Sequence, residues 1–299
     1  MDNQIKDYKI ISDWTPCGNG KYAFAKRGND EFFVKQLVTP RWPVCGSSDT
    51  KEQGIRQCKD FEYQKRNVME ALKRVSLPNG NLLIPYEIFL EGAFYYEVSF
   101  RIKDKFLNFE DVSRCNRNNK IMLIKTMMAS LALLEKAGVV HGDIKPDNVA
   151  VSYSKTSHSL RARIFDMTDS YLVGRPGSRD CVIGTTPYYS PELGKYIVEN
   201  GRFDVFKKGE RSITTKSDVF AAGLVIHQYL AEGRFPKYPQ NKFNYPYEAV
   251  NHNYKLIIDS SIDTDIAFIL AQMLQKRPSE RPNPSEIIDM LNEIEKNVS

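Results

Sequence analysis

The chain has few cysteines, no long apolar run and no block of like charge. Its five cysteines, at positions 17, 45, 58, 115 and 181, are odd in number, form no Cys-x-x-Cys pair and have no histidine cluster beside them. That arrangement argues for neither a disulfide framework nor a zinc site, and makes a reducing compartment the default. Nowhere do about 18 apolar residues occur together, the length a membrane-spanning helix requires. The opening MDNQIKDYKI shows no basic segment followed by an apolar one, so neither secretion nor a membrane span is expected and the expected location is cytoplasmic. The formal net charge of +5 is spread through the sequence, which argues against a dedicated nucleic-acid surface. Internal repeats and low-complexity segments are absent.

What is present fits a folded protein. The 299 residues are 41% hydrophobic and 26% charged, enough for one large domain or two lobes with a proper core. The densest chemistry lies in His141-Gly142-Asp143-Ile144-Lys145-Pro146-Asp147-Asn148. The apolar spacing of Ile121 to Val140 predicts a helix before it, and Val149-Ala150-Val151 predicts a strand after it. An Asp, a Lys and an Asn in one turn between core elements each suit a separate task in phosphoryl transfer: accepting a hydroxyl proton, neutralising phosphate charge and holding a metal.

Taken in order, residues 8 to 38 alternate in polarity around turn residues and predict a small antiparallel sheet. In Cys17-Gly18-Asn19-Gly20, Gly18 and Gly20 would let the backbone approach a phosphate, and an ordinary hairpin turn would explain them equally well. Lys35, flanked by Phe32, Phe33 and Val34, should face solvent or an anion, because burying an unpaired ammonium is costly. Residues 39 to 58 hold Pro40, Pro43, Gly46 and Gly54 and predict an irregular insertion. Lys59 to Val75 predicts a helix that carries Glu62 and Glu70, both candidate partners for Lys35. Two apolar runs, Leu82 to Leu90 and Ala93 to Phe100, predict a hairpin, and a lobe boundary follows near residues 97 to 103. Beyond it, Arg161 to Phe165 can pair with Val149 to Val151 and deliver Asp166 at its end. Asp166 with Asn148 would be a suitable oxygen-ligand set for Mg2+. Asp218 to Glu232 predicts a buried helix stopped at Gly233. Asn283-Pro284-Ser285-Glu286 predicts the capped start of an amphipathic last helix.

Five fragments in order carry a family resemblance. His141-Gly142-Asp143, Asp166-Met167-Thr168, the stretch Gly184 to Glu192 ending in Ser190-Pro191-Glu192, Ser217-Asp218-Val219-Phe220-Ala221-Ala222-Gly223, and Arg277 to Pro282 together resemble a eukaryotic-type Ser/Thr protein kinase. The resemblance implies an α+β, bilobal fold: a small β-rich N-lobe over residues 1–99 and a larger, mainly helical C-lobe over residues 100–299. It implies ATP and Mg2+ as cofactors and a protein as substrate, with the γ-phosphoryl group passing to a Ser or Thr hydroxyl. Asp143 would orient and deprotonate that hydroxyl while Lys145 neutralises the moving phosphoryl group. Asn148 and Asp166 would hold Mg2+, and Gly18 and Gly20 would cover phosphates. Lys35 would bind the α- and β-phosphates, positioned by Glu62 or else Glu70. Glu192 would pair with Arg281, and Asp218 would hold the catalytic-loop backbone, both as architecture.

Three departures bear on that reading. Ala23 stands where the third loop glycine is usual, and Thr168 replaces the metal-motif glycine. Gly142 replaces the arginine that clamps a phosphorylated activation loop, implying activity without strict dependence on such phosphorylation. A kinase-like small-molecule phosphotransferase and a nucleotide-binding pseudokinase scaffold are the alternatives. Lys145 and the 184 to 192 platform argue against the first, and joint retention of Lys35, Asp143, Asn148 and Asp166 against the second.

Overall fold

The alternating segments near the N-terminus do form a sheet, and the later apolar segments form helices, in a computed structural model that describes residues 4–18, 20–45, 47–75, 80–154, 156–175, 184–198 and 213–296. Asn19 of the expected phosphate loop, Cys181, and residues 176–183 ahead of Gly184 lie outside the described residues. The chain divides into two compact units, one made of Met1–Glu70 and Ile84–Lys103, the other of Ala71–Leu83 and Asp104–Ser299.

The first unit is built on strands β1 (Gln4–Ile5), β2 (Tyr8–Ile10), β3 (Thr15–Cys17), β4 (Gly20–Arg27) and β5 (Asp30–Arg41), helix α1 (Ser48–Lys73), and strands β6 (Glu87–Glu91) and β7 (Phe94–Phe100). The strands make one antiparallel sheet in the order β1-β2-β4-β5-β7-β6, with β3 folded back on β4. Period-two alternation sorts β5 and β7 into two faces. On one, Phe32 pairs with Phe100 and Val34 with Val98, joining a core of Tyr8, Ile10, Ala23, Ala25 and Tyr96. The other carries Leu37 and Tyr95, which pack with Cys58, Trp42 and Phe61; Cys58 and Phe61 come from α1.

Two expectations need correction here. The irregular insertion over 39 to 58 is helical from Ser48 onward. Pro43 and Gly54, read as breakers, are in fact one packing contact: a Cβ on Gly54 would lie 3.1 Å from the Pro43 ring, so the glycine makes room for the proline. The hairpin expected from Leu82 begins only at Glu87. Leu82 instead bridges Ile164, whose carbonyl accepts from the Leu83 amide at 2.8 Å, and both leucines belong to the second unit.

That unit comprises α2 (Phe109–Ser113), α3 (Arg117–Ala137), β8 (Val139–Val140), β9 (Val149–Ser154), β10 (Ser159–Ile164), β11 (Tyr171–Leu172), α4 (Pro191–Val198), α5 (Thr215–Leu230), α6 (Pro246–Asn251), α7 (Thr264–Met273) and α8 (Pro284–Lys296). Helix α5 is buried along its length apart from Lys216, as its near-continuous apolar sequence requires. Helix α8 opens as its sequence predicts: the Glu286 amide donates to the Asn283 side chain at 2.9 Å, and the Asn283 amide donates to the Glu286 carboxylate at 2.7 Å.

His227 of α5 is fully buried. The Asp259 amide donates to its Nε2 at 3.0 Å, so Nδ1 carries the proton and donates to the Arg234 carbonyl at 2.8 Å. Burial holds the imidazole below its usual value, against the raising effects of that carbonyl and of Asp259. A histidine depressed in the folded state contributes stability that is complete above the unfolded value of about 6.5 and is lost as pH falls through the folded value. Urea midpoints should therefore drop between pH 7.5 and 5.5, and His227→Gln, which cannot charge, should flatten that dependence.

Candidate active site

The polar turn singled out in the sequence joins β8 to β9, closing with a short helical turn over Pro146–Asn148. Its backbone is fixed from α5. The Asp218 carboxylate accepts the His141 amide at 2.7 Å and the Gly142 amide at 3.0 Å. Complete burial pushes this carboxyl up to about 7, while the two amide donors pull it back. His141, with no exposed surface, takes the Asp143 amide on Nδ1 at 3.3 Å and so donates from Nε2 to the Phe165 carbonyl at 3.0 Å. Desolvation lowers its pKa, against the raising effects of the Phe165 carbonyl, Asp143 and Asp166. One ring thereby links the turn to the residue before Asp166.

Asp143 is buried to 9% exposure and its two oxygens face different partners. Oδ2 lies 2.7 Å from the Lys145 ammonium and accepts from the Asn148 amide at 3.0 Å. Oδ1 accepts the Thr185 hydroxyl at 2.7 Å, and Lys145 donates to the same hydroxyl oxygen at 2.8 Å. Acid, ammonium and hydroxyl close a ring. Sequence reading placed Thr185 within the 184 to 192 platform without giving it a role; a lone Thr forty-two residues from its partner has no local signal.

Asn148 also donates to the Asp143 carbonyl at 2.8 Å, so its own side-chain oxygen is the atom that can meet a cation. The Phe165 amide donates to the Asn148 backbone carbonyl at 3.1 Å, which sets Asp166 one residue from that contact. Asp166 sits at φ +66°, and its Oδ1 accepts the Thr168 amide at 3.2 Å and hydroxyl at 2.6 Å. The threonine at the usual glycine position thus braces the carboxylate. Among the described residues no group of three His, Cys, Asp or Glu side chains could hold a metal. An amide oxygen and one carboxylate suit a hard cation such as Mg2+, which keeps water and phosphate oxygens as its other ligands, and do not suit zinc.

Gly142 occupies the position of the usual arginine for a steric reason. Its φ is +82°, and a Cβ would lie 3.0 Å from the Asp169 carbonyl oxygen and 3.2 Å from the Tyr171 ring. Gly142→Ala should cost about 1–3 kcal/mol of unfolding free energy, the range for a side chain forced into the left-handed region; urea denaturation measures it. The Ser190-Pro191-Glu192 end of the platform is tied down by Arg281, whose guanidinium meets both Glu192 oxygens at 2.7 and 2.8 Å.

In the first unit, Lys35 is buried and stands directly across from Glu97, also buried. Glu97 carried no signal in the sequence reading. Of the two helix candidates, Glu62 accepts the Tyr95 hydroxyl at 2.8 Å and Glu70 is exposed. Cys17 pairs with Gly20 across the β3–β4 ladder. Gly18 has open space where a side chain would be, whereas a Cβ on Gly20 would come 2.0 Å from the Gln36 carbonyl oxygen. Strand packing alone therefore demands the second glycine.

The sequence is similar to several proteins named as serine/threonine-protein kinases. A serine/threonine-protein kinase of Drosophila melanogaster is 27% identical over 191 residues, 62% of this chain and 23% of that protein. In Dictyostelium discoideum, "Probable serine/threonine-protein kinase gdt4" is 27% identical over 186 residues, 60% of this chain and 11% of its own length. From the same organism, "Probable serine/threonine-protein kinase vps15" is 25% identical over 290 residues, 88% of this chain and 14% of its own length. The chain spans less than a quarter of the length of each of these relatives. The family model described as "Protein kinase domain" matches residues 62–291. A β-rich N-terminal region, a helical C-terminal part and a match over most of the sequence make this chain a member of the protein kinase domain family.

Proposed function

We propose that the chain is an ATP-dependent protein kinase that phosphorylates Ser or Thr hydroxyls of protein substrates in the cytoplasm. The observation that carries the reading is the ring of Asp143, Lys145 and Thr185. A hydroxyl oxygen already rests between a carboxylate that can take its proton and an ammonium that can offset phosphoryl charge. A substrate hydroxyl needs the same two neighbours.

In this reading Asp143 orients the substrate hydroxyl and accepts its proton, held in place by Asn148 and by the amides pinned to Asp218. Lys145 offsets charge on the transferred group. The Asn148 oxygen and Asp166 would hold Mg2+, which supplies charge neutralisation at the phosphates. Lys35 serves the α- and β-phosphates. Support for Ser/Thr rather than Tyr comes from Lys145 two residues after Asp143 and from the names of the relatives.

The test is incubation with Mg2+ and γ-labelled ATP, alone and with a generic basic protein, followed by phosphoamino-acid analysis. Labelled phosphoserine or phosphothreonine is expected. Label only on a small metabolite, or no label above that of an Asp166→Asn variant, would overturn the proposal.

A further inference from the structure

We infer that Glu97, on a strand, is the positioning residue for Lys35, in place of an acid on helix α1. This rests on the reading of Lys35 as a phosphate-binding group given above. Lys35 of β5 and Glu97 of β7 are register partners in an antiparallel pair, which sets their Cβ atoms about 4.5–5.5 Å apart on one face of the sheet. Both are buried, with 6% and 4% exposure. An ammonium and a carboxylate placed so close in a desolvated setting are each costly without an opposite charge.

The face they occupy is the one α1 covers, since Leu37 lies two residues beyond Lys35 and Tyr95 two before Glu97, and both pack with Cys58 and Phe61. On the helix, Glu62 gives its Oε1 to the Tyr95 hydroxyl at 2.8 Å, and Glu70 is exposed. The next residue on the buried stripe formed by Cys58, Val68 and Leu72 is Lys65, with 7% exposure. Helix α1 therefore brings a cation to the covered face, where it adds to the need for Glu97 instead of competing with it. A strand acid is fixed relative to Lys35 by the ladder hydrogen bonds of the sheet. Its hold on Lys35 does not depend on where the helix lies.

The experiment is a double-mutant cycle on full-length protein, reading KM for ATP and for the protein substrate separately. Lys35→Met and Glu97→Gln should each lower kcat/KM for ATP by at least about tenfold while KM for the protein substrate holds, and the double variant should be little worse than Lys35→Met alone. Glu97→Asp, which keeps the charge, should recover part of the loss and also serves if the glutamine variant does not fold. Independent, additive losses would mark Glu97 as merely structural and overturn the inference. So would an intact Glu97→Gln enzyme alongside a Glu62→Gln enzyme that reproduces the Lys35→Met defect, a result that leaves the kinase reading standing. An unaffected Lys35→Met enzyme would remove the assigned role of Lys35, and the inference with it.

Discussion

Asp143→Asn is expected to lower kcat by about 10²–10⁴-fold, the contribution of a positioned general base, with KM for ATP nearly unchanged. The substitution is close to isosteric. The Asp143 backbone keeps its bonds to His141 and Asn148, so the turn should survive. What disappears is the charge that holds Lys145 at 2.7 Å and the acceptor that takes the Thr185 hydroxyl at 2.7 Å. Asparagine can keep its oxygen toward Lys145 and Asn148, but its amide nitrogen then faces Thr185, where it can donate to the hydroxyl and can no longer accept a proton from it. A fall in kcat and kcat/KM together identifies an interaction made in the transition state. Steady-state assays beside a urea titration check the result: unchanged turnover, or a loss that merely tracks unfolding, would remove Asp143 from the chemistry.

The second large effect is on stability. Glu192→Ala should cost about 3–5 kcal/mol, because it leaves the buried Arg281 charge without a counter-charge. Side-chain exposure is 0% for Arg281 and 5% for Glu192. All five guanidinium donors are occupied: two by Glu192, and three by the carbonyls of Gln275, Lys216 and Lys276. Removing both charges together, as in Glu192→Gln with Arg281→Met, should cost less than the sum of the single changes, since the desolvation penalty disappears with the pair. Chemical denaturation of the four proteins closes the cycle. Strict additivity would show that the two residues act separately.

Much of this geometry could be read from the linear chain, for a physical reason. The polar turn, the strand delivering Asp166 and the capping box at Asn283 and Glu286 rest on contacts between residues near in sequence or on fixed motif chemistry. Thr185 and Glu97 escaped notice because their partners are set by which strands and segments become neighbours, and alternation reports only the face on which a residue lies. Gly20 was legible as a turn glycine, but its crowding by Gln36 requires knowing that β4 pairs with β5. The expected start of helix α1 at Lys59 falls eleven residues after the observed Ser48, because Pro43 and Gly54 look like two independent breaks in the sequence. Only the packed structure shows that one accommodates the other.

The β9–β10 ribbon has a practical consequence for engineering. Its pairs run from Val149 with Ile164 to Ser154 with Ser159, so Asn148 and Asp166 stand at its open end and the connecting turn at the other. Five strand steps separate them, about 17 Å. The spacing of the two proposed ligands is set by the ladder and not by the length of the turn. A fluorophore site or short affinity tag introduced between Ser154 and Ser159 should leave that spacing alone, giving a handle at a measured remove from the chemistry.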